Sequence, residues 1–446
     1  MESVTYRATL RGVKLLNMAL MTAAAVLCWQ NFYAGQSASG MTGVLIGVIF
    51  FVLYMTYGRI YESFLISLVR ITEMVYSQTL ALLMTDGIIF VVLCLMEKRL
   101  VAILPVIGLL AVQFVLSVIW SVLAHRWYFA TFPAKRTAVI YDRGRDVAKL
   151  IGTYGLRKKF RVRRTATAEE CLGGNFAVLE DIQTVFLCGL SSHERNLILK
   201  YCVEKGIAVY VLPKIGDIIM SGARQMHLFH LPFLRVGRYD PAPEYLLVKR
   251  LFDIVVSACA LVILSPLMLG VAHAVRKDGG PAFYRQCRLT KDGKRFDVLK
   301  FRSMRVDAEK DGVARLSTGD ADTRITPVGH IIRKLRIDEL PQLINILKGD
   351  MTIVGPRPER PEIAAQYEQE LPEFSLRLQA KAGLTGYAQV YGKYNTTPYD
   401  KLQMDLMYIA NPSFWEDLRI IFATIKILFL PESTEGVSEG QETAMK

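Results

Sequence analysis

Cysteine is scarce in this chain and comes without pattern. The seven residues Cys28, Cys94, Cys171, Cys188, Cys202, Cys259 and Cys287 contain no CxxC pair. This gives neither a zinc ribbon nor a disulfide framework, and the thiols read as reduced, mostly buried small residues. Histidine is scarcer still, six in 446 residues. His227 and His230 have a ligand-like spacing but no third ligand nearby, so they read as surface or core residues. Glycine is short where a dinucleotide site would need it: YDRGRD, from Tyr141 to Asp146, has one glycine where the Rossmann fingerprint has three. Close backbone approach to a pyrophosphate is therefore unsupported. Acidic residues are outnumbered, 41 against 54 Lys and Arg, for a net charge of +13. No RNA- or DNA-binding motif accompanies that excess, which leaves anionic lipid and phosphorylated substrates as the partners it suits.

Apolar sequence is abundant. Hydrophobic residues make up 52% of the chain, and four long runs open it: Leu15 to Tyr33, Met41 to Tyr57, Leu80 to Met96 and Leu100 to Ala124. Each approaches the roughly 20 residues that cross a hydrocarbon core as a helix. The first run continues without a small-residue cleavage site, so it reads as an anchor rather than a removable leader. Arg7, Arg11 and Lys14 precede it, Arg59 and Arg70 follow the second run, and Arg126, Lys135 and Arg136 follow the fourth. By the positive-inside rule both ends of this unit face the cytoplasm, although Lys98 and Arg99 lie in an outer turn. Asp86 is the one acid inside a run, and a packing or topology role is the first expectation for it. Intramembrane polar residues look too few for a transporter.

From Thr137 to about Pro243 the pattern becomes α/β. TAVIYD, TVFLCGL and AVYVLP are short β-rich runs separated by helical segments, as in a small doubly wound unit. A further apolar run, Leu251 to Val271, follows the cationic pair Lys249-Arg250 and contains Ser265-Pro266. Proline removes a donor and crowds the preceding turn, so the helix should bend or break there. Crossing the membrane and dipping into one leaflet both fit this pattern. In the second case Lys249 and Arg250 lie at head-group depth, where they meet lipid phosphates.

The stretch from Asp322 to Pro361 carries the chemistry. It places the acid pair Asp338-Glu339 among Arg324, Arg333, Arg336, Arg357 and Arg360. Carboxylates amid guanidinium groups suit reaction at phosphorus, because the cations bind anionic oxygens while the carboxylate attacks or holds a metal. The other reading makes Asp338 a helix N-cap with Pro341 in the first turn. Upstream, PAFYRQCRLTKDGKRFDVLKFRSM reads as a hairpin turning at KDGK and feeding Lys300 and Arg302. A helix is expected to carry Arg333 and Arg336. After it MTIV reads as a strand leading into Gly355-Pro356-Arg357-Pro358, a rigid turn able to present Arg357 at a set angle to a diphosphate. Phe414 to Leu430 is amphipathic enough to lie on a bilayer.

RIDELPQLINILKGDMTIVGPRPERP, together with KFRSM at Lys300 to Met304, resembles the core signature of the bacterial sugar transferase family, the polyprenyl-phosphate phosphoglycosyl transferases. The resemblance runs from about Tyr245 to Leu430, and the upstream organisation is like that of the large multi-pass members. It implies a four-helix transmembrane bundle (1–130), a Rossmann-like domain of structural or oligomeric role (131–244), a re-entrant membrane helix broken at Ser265-Pro266 (245–276), an α/β catalytic domain with interfacial helices (277–431) and a polar tail (432–446). It also implies Mg²⁺, a UDP-sugar donor and undecaprenyl phosphate as acceptor, at the inner membrane, in the first membrane step of exopolysaccharide, capsule or O-antigen synthesis. The acid pair is then catalytic. The expected mechanism on that basis has Asp338 as nucleophile, Glu339 as metal ligand or base, Asp338 and Glu339 as the metal-side carboxylates, and Lys300, Arg302, Arg324 and Arg357 binding phosphate. KAGLTGYAQVYGK, Lys381 to Lys393, resembles the loop that bears on the sugar or nucleotide. Ala382 stands where the family often has proline, and Cys287 and Thr290 also depart from it. A UDP-releasing glycosyltransferase and a non-catalytic scaffold are the alternatives, separated by which nucleotide is released.

Overall fold

Long apolar runs shape the first third of the chain. In the computed structural model, the described residues are 2–34, 40–142, 147–153, 155–277, 279–306, 308, 322–392 and 396–428. They form two units, Met1–Leu212 and Pro213–Lys446.

The first unit opens with α1 (Glu2–Phe32), α2 (Gly40–Ile60), α3 (Ile71–Glu97) and α4 (Leu104–Thr131). Consecutive helices pack together and α1 also meets α4. All four are long and apolar enough to cross a membrane. Their outward side chains include Leu45, Val48, Leu104 and Leu123, whereas Asn17, Gln78, Thr85, Asp86, Gln113, Ser117 and Ser121 are buried. Lipid rewards this arrangement, since apolar groups face hydrocarbon at no cost, and Asn17, Gln78, Thr85 and Ser121 find hydrogen-bond partners inside. Gln78 is the hub. It accepts from Asn17 at 3.5 Å and donates to the Ser63 carbonyl at 3.3 Å and to Ser121 Oγ at 3.4 Å, while Tyr54 donates to Asn17 at 2.9 Å. The impression of a unit nearly devoid of polar residues is thus corrected: the polar groups are spread thinly along the sequence and converge only when the helices pack.

A four-stranded parallel sheet follows: β1 (Lys135–Tyr141), α5 (Val147–Thr153), β2 (Phe160–Thr167), α6 (Ala168–Gly173), β3 (Thr184–Cys188), α7 (Ser192–Glu204) and β4 (Ala208–Val211), in the order β2-β1-β3-β4. β1 and β3 are the expected apolar runs, buried as central parallel strands must be. β2 was hidden from a pattern search because it is FRVRRTAT, an edge strand whose exposed arginines blunt the sheet border. Residues 143–146 of the YDRGRD turn lie outside the described residues.

The second unit comprises α8 (Ile215–Ser221), β5 (Arg224–Leu228), β6 (Leu231–Arg235), α9 (Pro243–Arg276), β7 (Phe283–Leu289), β8 (Arg295–Phe301), α10 (Pro327–Lys334), α11 (Gln342–Lys348), β9 (Thr352–Val354), α12 (Pro361–Glu370), β10 (Gly383–Thr385), α13 (Tyr387–Tyr391), α14 (Pro398–Ala410) and α15 (Phe414–Leu428). Leu343, Ile346, Met351, Val354, Phe374, Leu402, Leu406 and Ile420 lie at its core. His227 and His230 fall on the β5–β6 hairpin, where Phe229 and His230 form the two-residue turn with φ of 54° and 62°. Among the described residues no group of three His, Cys, Asp or Glu is arranged to hold a metal. The KDGK hairpin forms as β7 and β8, paired from Phe283↔Phe301 to Leu289↔Arg295.

α9 is the fifth helix long and apolar enough to cross a membrane. The expected bend or break at Ser265-Pro266 leaves no gap: α9 stays helical through Pro266 for 34 residues, so a path that returns to one face needs a bend there. Proline cannot donate to the carbonyl four residues back, Val262, and Ser265 Oγ donates to that oxygen instead, at 2.8 Å. A local hydroxyl thus satisfies the group that would otherwise be orphaned in an apolar medium. Both flanks of α9 rest on this one unit: Phe252, Ala260 and Leu261 pack on the main core, and Val271 and Val275 pack with Phe301 and Ile332. Between them Val262 and Ile263 are about three-quarters exposed, at 75% and 74%.

Candidate active site

Arg336 makes the turn that presents the acid pair. Contrary to expectation it is not helical. α10 ends at Lys334, and Arg336 adopts the left-handed conformation, φ 52°, which costs a side-chain-bearing residue roughly 1–2 kcal/mol. Such strain is held by its surroundings and tends to gather at functional sites. Ile337–Glu339 then form one 3₁₀ turn, and α11 starts only at Gln342, after Pro341, with no side-chain cap. Asp338 is therefore not a helix N-cap, and its carboxylate is not spent on backbone donors.

Glu339 is buried, and its Oε1 accepts from Lys300 Nζ at 2.8 Å and from Arg357 at 2.7 Å. Burial alone would raise its pKa, but Arg357 and then Lys300 outweigh it and hold the carboxyl well below the usual range. Asp338 beside it is half-buried and makes no hydrogen bond or ion pair with any described residue. Burial, then the Glu339 charge, push its pKa up to about 6, against the pull of Lys300, Arg333 and Arg357. Two adjacent carboxyls thus have different electrostatics, one locked as a counter-ion and one without a hydrogen-bond or ion-pair partner among the described residues.

The supports are specific. Asn345 of α11 donates to the Asp297 carbonyl at 2.8 Å and accepts from the Leu299 amide at 2.9 Å, pinning β8 so that Lys300 meets Glu339. Arg357 is held from behind. Arg377 donates to the Arg357 carbonyl at 2.8 Å and pairs with Asp405 at 2.7 Å, while Arg288 donates to the Pro358 carbonyl at 3.1 Å. Glu359 lies 3.7 Å from both Arg377 and Arg288. Burial works to raise its pKa, but Arg377 and the cations around it win and hold it low. Arg288 and Arg377 were not singled out from the sequence. The available signal was an arginine alone among apolar neighbours, as in Phe374-Ser375-Leu376-Arg377-Leu378.

The AGLTG segment holds the Arg357 turn in place. β10 pairs in parallel with β9, the Gly383 amide donates to the Pro356 carbonyl at 2.9 Å, and the Gly355 amide donates to the Thr385 carbonyl at 2.9 Å. A Cβ on Gly355 would stand 2.3 Å from the Lys381 carbonyl oxygen, so glycine is required for the approach rather than for φ. The Ala382 amide, which a proline would lack, donates to Thr290 Oγ1 at 3.1 Å, and that hydroxyl donates to the Asp350 carbonyl at 3.0 Å.

Four cations expected at phosphate are engaged elsewhere. Arg302, 6% exposed, donates to the carbonyls of Pro281, Met304 and Val275. Arg324 makes a two-pronged pair with Asp322 at 2.8 and 2.7 Å. Lys249 bonds Asp417 at 2.8 Å and Tyr408 at 3.2 Å, and Arg250 donates to the Ile346 and Leu347 carbonyls at the end of α11. With Asp253, which accepts from Thr352 Oγ1 at 2.7 Å and the Ile353 amide at 3.0 Å, the last two fasten α9 to the catalytic core rather than reaching for head groups. Sequence spacing cannot distinguish a free cation from one consumed by carbonyls. Residues 307 and 309–321, Lys393 and residues 429–446 lie outside the described residues.

The family profile described as Bacterial sugar transferase matches residues 244–431. The chain is 36% identical over 256 residues to a UDP-N-acetylgalactosamine-undecaprenyl-phosphate N-acetylgalactosaminephosphotransferase of Aeromonas hydrophila, covering 56% of this chain and 58% of the relative. It is 41% identical over 237 residues to an undecaprenyl-phosphate galactose phosphotransferase of Salmonella typhimurium, covering 50% and 49%. A UDP-glucose:undecaprenyl-phosphate glucose-1-phosphate transferase of Caulobacter vibrioides is 38% identical over 206 residues, which are 45% of this chain and 76% of that one. The chain spans little more than half the length of the first of these relatives and about half of the second.

Proposed function

The chain belongs to the bacterial sugar transferase family, and from that premise we propose that it moves a sugar 1-phosphate from a UDP-sugar to undecaprenyl phosphate, releasing UMP. The observation that carries this reading is an Asp338 with no partner among the described residues, beside a Glu339 neutralised by Lys300 and Arg357. An Asp338 oxygen attacks the β-phosphorus, the bond from that phosphorus to the bridging oxygen breaks, and UMP leaves with the electron pair. An oxygen of undecaprenyl phosphate then attacks the phosphosugar held on Asp338, which returns the carboxylate and yields undecaprenyl diphosphate-sugar. Arg357 and Lys300 stand where charge accumulates on the donor, fixed in advance by Arg377, Arg288 and Asn345. The printed names of two relatives give the same overall transfer, glucose 1-phosphate from UDP-glucose to undecaprenyl phosphate.

Mg²⁺ fits this pair. Lys300 and Arg357 take only one oxygen of Glu339, Asp338 has no partner among the described residues, and Mg²⁺ is commonly held by one or two carboxylates plus phosphate oxygens. Asp338 and Glu339 would hold it, and it would supply neutralisation of the diphosphate.

Four spanning helices and a membrane-seated α9 are part of this reading. A helix with both flanks packed on one unit supports a re-entrant seat, with the catalytic unit on the cytoplasmic face where nucleotide sugars are made. The test is incubation of the purified protein with a panel of UDP-sugars, undecaprenyl phosphate and Mg²⁺. Release of UMP with a labelled lipid product is expected; release of UDP would replace this reading by sugar–oxygen cleavage.

A further inference from the structure

Arg157, Lys158, Lys159, Arg161, Arg163 and Arg164 put six cations into eight residues, leading into and along β2, the edge of the parallel sheet. They do not all have partners in the fold. Arg164 donates to the Ala177 carbonyl at 2.5 Å, and Lys159 Nζ donates to Ser67 Oγ at 2.9 Å. Lys158, Arg161 and Arg163 are exposed and make no hydrogen bond or ion pair with any described residue. Arg163 sits at the irregularity where the β1–β2 register skips from Val162 to Arg164, so it is not opposite a partner strand residue.

Their height relative to the helices is set by the chain. α4 ends at Thr131 and β1 begins at Lys135, whose amide donates to the Lys159 carbonyl at 2.9 Å. Four residues span at most about 14 Å. Ser67, which holds Lys159, lies in the short connector between α2 and α3. The start of β2 is therefore level with the ends of the membrane helices, and Arg161 and Arg163 lie within about 10–13 Å of that level at about 3.3 Å per residue. That is close to the Debye length of about 8 Å at physiological salt. Arg59, Arg70 and Arg126, all exposed, surround the same end of the helices.

We propose that this basic edge, with Lys158, Arg161 and Arg163 as its free cations, docks on anionic lipid head groups and so seats the sheet on the bilayer. Spaced cations along an open strand edge suit an extended anionic surface, whereas a soluble phosphate needs donors converging on one point. The inference stands apart from the transferase reading.

The test uses the full chain in nanodiscs of phosphatidylcholine alone or with 30% phosphatidylglycerol, reading amide hydrogen exchange across residues 156–165 by mass spectrometry. At low salt the anionic discs should slow exchange by about threefold or more, with the difference lost in high salt. The variant K158Q/R161Q/R163Q, whose positions are exposed, should exchange alike in both discs. Equal exchange of the wild type in both discs would overturn the proposal, as would a lipid difference that survives in the variant. Protection of the same amides by inorganic pyrophosphate in phosphatidylcholine discs would overturn it in favour of a soluble anion.

Discussion

Asp338 and Glu339 differ by one methylene and one position, yet their surroundings give them opposite roles. Glu339 is held ionised by two cations, so it is a fixed charge at any pH where the protein works. Asp338 carries the raised pKa, about 6, and a nucleophile must be deprotonated. Its reactive form is lost as pH falls, so kcat/KM should hold level at neutral pH and fall about tenfold per unit on the acid side, with the limb at or below about pH 6 because Mg²⁺ held at the carboxylate lowers its pKa; initial rates between pH 5 and 8 at two Mg²⁺ concentrations check this. Asp338→Asn keeps the shape and removes the negative charge that makes the oxygen a nucleophile. Turnover should drop by roughly 10⁴-fold or more, measured as radiolabelled UMP released, and near-normal turnover would exclude Asp338 as the nucleophile.

Single elements carry the precision. The Arg357 turn works because β9 and β10 bring Gly355 against Lys381 and Gly383 with no side chain between them. Gly355→Ala should cost about 1–3 kcal/mol of stability, read from denaturant titration, and should lower turnover further by displacing Arg357. Within the membrane helices the corresponding element is the Gln78 knot. Gln78→Leu keeps the volume but strands Asn17, Ser63 and Ser121, and it should lower the stability of the helix group by about 0.6–2 kcal/mol, measured by thermal unfolding in detergent. In α9, Ser265 shows how one hydroxyl can keep a helix continuous through a proline.

For the molecule as a whole, the decisive question is on which side of the bilayer the catalytic unit lies. An α9 that crossed would put its two ends on opposite faces; a re-entrant α9 leaves both on one. In a chain freed of its seven cysteines, Glu244→Cys and Lys277→Cys should both react with an impermeant maleimide from the cytoplasmic face, in inverted vesicles and not in intact spheroplasts. Labelling of the two from opposite faces would end the re-entrant reading.

Apolar runs, turn chemistry and a long acid-and-arginine signature were legible in the linear order, because hydrophobic periodicity, glycine and proline act locally. They were enough to foresee membrane helices, a parallel α/β sheet, the β7–β8 hairpin and the candidate pair at 338 and 339. Which cations stand at the acid pair was decided only by folding. Lys300 and Arg357 reach Glu339, while Arg302, Arg324, Lys249 and Arg250 are consumed by carbonyls and carboxylates. Arg288 and Arg377 enter the site from distant segments. A charged group far along the chain carries no local mark of its partner, and burial, which sets the strength of each interaction, exists only once the elements have packed.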